Sequence, residues 1–263
     1  MLKMMCREDS FGIPRLGEKE QVQSITPGQL YTHYRRILRE SPIELFYAGS
    51  AQPEQVASLL TPLFSDLDRA CVPLPEQTPF RGGGGSRHVQ TMEVAQGKLA
   101  MGFVTPITIR DRRFAAMQLC NTVLGAGMTS KLFMQVRERL SLCYDISSGY
   151  HGSKGIVTVS AGIDPENEEL VCREVLAQLD ACAKGDITQQ ELNAARQAVL
   201  SSLRGTHDSP GSIENYYATA ALSGLGMTPE EYARAIEQVT LQQVAEAAAA
   251  LRLHTVYFLK GVQ

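Results

Sequence analysis

Arg137 and Tyr144 lie on either side of a short turn in the stretch LGAGMTSKLFMQVRERLSLCY, residues 124–144. A guanidinium offers a planar fork of donors, and a phenol offers one hydroxyl proton. Held together, the two can bind carbonyl oxygens or stabilise negative charge on oxygen. Spacing alone leaves a plainer reading open. Arg137 pairs with Glu138 or a neighbour on a solvated helix, and Tyr144 is a half-buried strand residue, since both types are ordinary there.

Cys143, with His151 downstream, raises the possibility of a Cys/His nucleophile. Strand alternation sends Cys143 and Tyr144 to opposite faces, and nothing nearby is placed to lower the thiol pKa. A buried structural cysteine is the better reading. The other cysteines are Cys6, Cys71, Cys120, Cys172 and Cys182; none forms a C-x-x-C pair, so buried reduced thiols are expected. The histidines are His33, His88, His151, His207 and His254. None has a second histidine four positions on, so H-x-x-E-H is missing and no zinc is expected on this chain alone. The acidic run Asp164, Glu166, Glu168 and Glu169 opens a helix, where carboxylates complement the macrodipole, and is read as capping. Tyr216 and Tyr217 are read as core or lining residues. The tetraglycine of RGGGGSRH lacks the Lys-Ser/Thr and following helix of a phosphate loop. A strand-like SRHVQTMEV follows instead, so residues 71–88 are read as a Pro/Gly linker.

The composition narrows the classes. The chain has 263 residues, 44% hydrophobic and 20% charged, enough for a core in one or two domains. A net charge of −3 without a dense Lys/Arg stripe argues against a nucleic-acid surface. There is no Trp to stack on sugars or bases. MLKMMCREDS lacks the apolar core of a signal peptide, and no run approaches the roughly 18 apolar residues of a membrane helix. No membrane contact and a cytoplasmic location are expected.

The elements that must position Arg137 and Tyr144 follow from periodicity. Thr26 caps a helix over 27–40, IELFYAG (43–49) reads as a strand, and Pro53 opens a helix through Leu67. After the linker, QTMEVAQGKLAMGFVTP supplies a strand or two. RDRRFAAMQLCNTVLG and SKLFMQVRERL are helices. CYDISSGYHG and GIVTVSAGI form an antiparallel hairpin turning near 152–155. Asp164-Pro165 opens a helix that stops at Gly185, and Thr188 with Glu191 forms a capping box for the next. Further helices lead to a closing strand, HTVYFLKG. The pattern is α+β: an antiparallel sheet with helices packed on one face.

LGAGMTSKLF followed by RERLSLCY resembles the second α/β unit of the M16 peptidases, the insulinase or pitrilysin-like family with an inverted zinc motif. Ser141 departs from the glycine common there and bears on the turn, because serine tolerates positive φ less well than glycine. The resemblance continues through GIDPENEE and GDITQQELNAARQAVLSSLRG, and GEKEQVQSITPGQLYTHYRRILRESPIELFYAG looks like the end of a first unit. In detail the chain resembles the inactive member of paired bacterial M16B peptidases, the type associated with modification of elongation factor P.

The resemblance implies an M16 peptidase/LuxS-like metallohydrolase unit over 89–263 and a partial first unit, helix-strand-helix, over 1–70. The front strands of that first unit would be absent, leaving an unpaired sheet edge. It also implies a non-catalytic half of a zinc metallopeptidase, inactive alone, that shapes a peptide chamber. Zinc would sit in a partner, a catalytic subunit carrying H-x-x-E-H in a hetero-oligomer, or the chain would form a homodimer. Arg137 and Tyr144 would support peptide cleavage in trans. The alternative implied by the same family is a purely structural scaffold subunit.

Overall fold

Leu99, Met101 and Phe103 alternate with Lys98, Ala100 and Gly102, and this period of two gives strand β2, Gly97–Val104, one buried apolar face. The computed structural model describes residues 1–65, 68–73, 78–82 and 85–261. In it β2 sits at the centre of a five-stranded sheet with β1 (Ser86–Met92), β3 (Asp145–His151), β4 (Ile156–Ile163) and β5 (Arg252–Gly261), in the order β1-β5-β2-β4-β3. The β3–β4 hairpin turns through residues 152–155, as its glycines suggested, with Asp145 opposite Gly162 and His151 opposite Ile156.

One ladder departs from the antiparallel expectation. β1 and β5 run parallel, and β5 inserts between β1 and β2, which are close neighbours in sequence. The chain between β2 and β5 holds all the core helices, and a connection of that length lets a strand return in either direction. The sheet is therefore mixed.

The buried face of the sheet carries α5 (Phe114–Leu124), α6 (Glu168–Ala183), α7 (Gln189–Arg204), α9 (Pro229–Gln238) and α10 (Leu241–Ala249). Leu99, Met101, Phe103, Val159 and Phe258 from the strands pack against Met117, Leu119, Val175, Leu192, Ile236 and Val244 from the helices. α8 (Pro210–Ser223) lies outside this layer, with Ala220 its one buried residue. The Thr188–Glu191 capping box is formed, and Gly185, at φ +81°, ends the preceding helix region.

The opposite face is covered at one end by the start of the chain. Met5 and Cys6, from α1 (Leu2–Met5) and the residue after it, are buried with Ile156 and packed by Phe11, Phe80 and Val104. Gly102 allows this approach, since a Cβ there would stand 2.5 Å from the Met5 sulfur. The Lys154 ammonium meets the Asp9 carboxylate at 2.8 Å, and the Lys154 carbonyl accepts from the Phe80 amide at 2.9 Å.

The front elements are α2 (Lys19–Gln23), α3 (Pro27–Glu40) and α4 (Pro53–Ser65), and none contains a buried residue. Thr26 caps α3 as the sequence predicts, and Gln29 completes a capping box there. Residues 43–49 do not form the expected strand. A strand needs a ladder partner, and among the described residues none pairs with them, so Leu45, Phe46 and Tyr47 stay exposed. The anticipated end of α4 at Leu67 lies outside the described residues, as do 74–77 and the two middle glycines of the tetraglycine. The last three residues assigned to the linker, Ser86 to His88, belong to β1 because β5 offers them a ladder.

Candidate functional site

The segment 124–144 folds as a helix, a turn and an approach to the sheet edge. Ser130 caps its start, with its Oγ donating to the Gly127 carbonyl at 2.7 Å and accepting from the Phe133 amide at 3.4 Å. The helix expected here is a π-helix over Phe133–Arg139, closed by a five-residue bond from the Leu140 amide to the Gln135 carbonyl at 3.0 Å. π-turns within helices concentrate at functional positions because they re-aim side chains. The chain then reverses at Ser141, the one non-glycine residue at positive φ among those described, at 53°. Leu142 bonds back to the Val136 carbonyl, and the Tyr144 amide bonds to the Gly162 carbonyl at 2.8 Å, which attaches the turn to β4.

This reversal brings Arg137 and Tyr144 together. Arg137 Nε donates to the main-chain carbonyl of Tyr144 at 2.9 Å. The guanidinium lies 4.7 Å from the centre of the Phe133 ring and pairs with Glu138 at 3.2 Å. Both partners of that ion pair are well exposed, so the pair adds little stability. Tyr144 is 59% exposed, not half-buried, and its hydroxyl donates to Asp164 Oδ1 at 2.9 Å. That bond, and next the negative charge of Asp164, hold the phenol above its ordinary pKa and keep it protonated. Arg137, Glu138, Ser141, Tyr144 and Asp164 line an open cleft of about 530 Å³.

Asp164 stands at the helix start, where its sequence neighbours predict a cap. Its side chain makes no cap bond and is turned instead to Tyr144. Sequence reasoning missed this role, although the hairpin register carries the signal. One step beyond the Asp145–Gly162 pair, Tyr144 comes beside Ile163 and within reach of the next residue, Asp164. Glu168, further along the acidic run, pairs with Arg87 at 2.8 Å.

The remaining candidates lie apart from this cleft or are chemically unsuited. Cys143 also lines the cleft beside Tyr144, where strand alternation would have turned it to the opposite face, because the chain is still in the turn before β3 begins at Asp145. It is half-buried against the core, and burial, with repulsion from Asp145, pushes its thiol up to about 11 despite Arg137. A thiol so placed is a poor nucleophile. His151 sits at the far end of β3, against Phe11 and Thr158. Burial lowers its pKa. Tyr216 donates to the Met227 carbonyl and packs on Tyr217, as a lining residue does. Cys6, Cys120 and Cys182 are buried, Cys143 and Cys172 half-buried, and Cys71 exposed.

Among the described residues no group of three or more His, Cys, Asp or Glu side chains is placed to hold a metal. The cleft itself suits zinc poorly. Its two carboxylates are engaged by Arg137 and Tyr144, and a guanidinium stands where a ligand would have to be neutral or negative. No helix among the described residues is long and apolar enough to cross a membrane.

Known proteins resemble this chain along its whole length. A relative from Bacillus subtilis strain 168, "Probable inactive metalloprotease YmfF", is 27% identical over 263 residues, which cover 100% of this chain and 62% of the relative. An uncharacterized zinc protease of Mycobacterium tuberculosis, Rv2782c, is 27% identical over 90% of this chain and 55% of its own length. The chain thus spans little more than half of the curated relatives it matches. A conserved protein of Enterococcus faecalis V583 superposes with a TM-score of 0.86 at 26% identity, over 99% of this chain and 62% of that one. A peptidase M16 inactive domain from Pseudomonas fluorescens shares the fold, with a TM-score of 0.79 at 18% identity, over 100% of this chain and 65% of that one. The sequence profile of the Peptidase M16 inactive domain matches residues 24–199, two thirds of the chain. By that match the chain belongs to the M16 peptidase family and carries its inactive domain.

Proposed function

We propose that this chain is the non-catalytic half of a two-part zinc metallopeptidase and presents Arg137 and Tyr144 to the active site of a catalytic partner. The partner would carry H-x-x-E-H and hold the zinc, which supplies Lewis acidity and the attacking water. The observation that supports this reading most is the bond from Arg137 Nε to the Tyr144 carbonyl, which holds both side chains at one open cleft.

Each residue then has a task its chemistry suits. Attack on a peptide carbonyl builds negative charge on the oxygen. The protonated Tyr144 phenol donates a hydrogen bond to that oxygen as the charge develops. Arg137 uses its Nε to keep the tyrosine main chain in place, and its terminal nitrogens, one of them paired with the exposed Glu138, would turn to substrate carbonyls. The six cysteines are free thiols, which fits a reducing compartment such as the cytoplasm.

A second reading, a scaffold subunit without a catalytic role, has one observation in its favour. The Tyr144 hydroxyl and the Arg137 guanidinium already have partners within the chain. Reconstitution separates the two readings. The purified chain should hold well under one zinc per molecule after mild chelation and cleave no peptide, and adding a partner with H-x-x-E-H should produce chelator-sensitive cleavage. Stoichiometric zinc with proteolysis by this chain alone would overturn the non-catalytic reading. Equal cleavage by the partner with and without this chain would favour the scaffold.

A further inference from the structure

A phenol has one proton to donate, and Tyr144 gives it to Asp164. While that bond stands, the hydroxyl has nothing to offer a substrate oxygen. Asp164 is placed for this and for little else. It occupies the N-cap position of the 3-10 turn Pro165–Asn167, where an aspartate ordinarily accepts from main-chain amides, yet its side chain makes no such bond. No lysine, arginine or histidine pairs with it among the described residues, and the Tyr144 hydroxyl is the side-chain partner its carboxylate has there. Both residues line the same cleft.

We propose that Asp164 is a latch on Tyr144: it holds the hydroxyl within the chain at rest and releases it to the substrate oxygen only as that oxygen becomes charged. The inference rests on the reading of Tyr144 as an oxyanion donor. The selectivity follows from acceptor strength. A carboxylate is a stronger acceptor than a neutral peptide carbonyl, so bound substrate does not draw the proton away. A developing oxyanion is comparable to the carboxylate, so the bond transfers during the reaction. Asp164 is thus a positioning residue whose hold on Tyr144 subtracts from the help the phenol gives to the transition state.

Two measurements test it. The first uses the 263-residue chain by itself. Tyrosine ionisation is followed by ultraviolet absorbance in the parent, Tyr144→Phe, Asp164→Asn and the double variant. The signal lost with Tyr144→Phe should titrate above the ordinary tyrosine range, and in Asp164→Asn it should return to that range. If it titrates at the same pH with and without the carboxylate, the latch bond does not exist in solution and the proposal fails. The near-isosteric asparagine keeps the fold, and circular dichroism checks this.

The second uses the chain reconstituted with a partner carrying H-x-x-E-H. Asp164→Ala should raise kcat/KM by about fivefold, the difference between giving up a charged and a neutral acceptor, with Asp164→Asn between it and the parent. The gain should vanish in a Tyr144→Phe background. If Tyr144→Phe impairs cleavage but both Asp164 variants are equal to or slower than the parent, the latch is wrong and the oxyanion reading stands. If Tyr144→Phe cleaves like the parent, the oxyanion reading falls and the latch falls with it.

Discussion

Arg137 donates from Nε to the carbonyl oxygen of Tyr144 at 2.9 Å, so the cation of the pair is attached to the main chain of the phenol, not to its hydroxyl. The two side chains are thereby separable. Removing the hydroxyl leaves the turn intact, and removing the guanidinium alters both the charge and the position of Tyr144.

Kinetics of the reconstituted pair should show that split. Tyr144→Phe is expected to lower kcat by roughly a hundredfold with little change in KM, as for loss of one oxyanion donor. Arg137→Ala should lower kcat and raise KM, and Arg137→Lys should not restore the parent, because an ammonium lacks the fork that reaches the Tyr144 carbonyl and the substrate together. Zinc content of the partner should be unchanged in each. Parent-like cleavage by both alanine and phenylalanine variants that still assemble would leave only the scaffold reading.

The turn that presents Tyr144 depends on a serine in left-handed backbone, Ser141 at φ 53°. A Cβ in that conformation is unfavourable by about 1 kcal/mol or more, and glycine relieves this at some cost in unfolded-chain entropy. Ser141→Gly should therefore raise the urea midpoint slightly, by the equivalent of a few tenths to about 1 kcal/mol. Ser141→Val should lower it, since a β-branched residue tolerates positive φ least. A fall in stability with glycine would show that the serine side chain contributes something the backbone angle does not reveal.

The front of the chain should open more easily than the rest. α3 and α4 contain no buried residues, whereas α5 buries ten of its eleven. Local opening is governed by buried apolar contact, so amides of α3 and α4 should exchange with solvent orders of magnitude faster than those of α5 and β4. Equal protection in both regions would mean that something covers the front in solution, a second copy included.

The first residues of the chain should dock in a pH-dependent way. Burial alone would raise the Asp9 pKa, but the hydrogen bond from Lys154, the Phe11 amide and the Lys154 charge together bring it below the ordinary value. The folded state thus favours the charged carboxylate. The contribution is fully present above the unfolded carboxylate pKa of about 4 and is lost as pH falls through the lower folded value. Protection of the Cys6 and Gly12 amides, corrected for intrinsic exchange, should decline in that window for the parent. In Asp9→Asn it should be lower throughout and flat with pH. Identical profiles would show that the apolar contacts of Met5 and Cys6 suffice for docking.

Local signals were readable in the sequence because they depend on near neighbours. The cap at Thr26, the capping box at Thr188 and the hairpin turning at 152–155 each involve residues a few positions apart. The family pattern likewise lies in short runs around LGAGMTSKLF and RERLSLCY, and these bring Arg137 and Tyr144 to notice without any coordinates. Three matters needed the tertiary structure. IELFYAG is a short apolar and aromatic run like a strand, but a strand is completed by a partner, and among the described residues none reaches it. β1 and β2 look like neighbours until β5, from more than a hundred residues on, takes the place between them. Asp164 reads as a helix cap because its own neighbours are helical. Only the pairing of β3 with β4 brings the Tyr144 hydroxyl to its carboxylate, and a hydrogen bond follows distance in space, not separation in sequence.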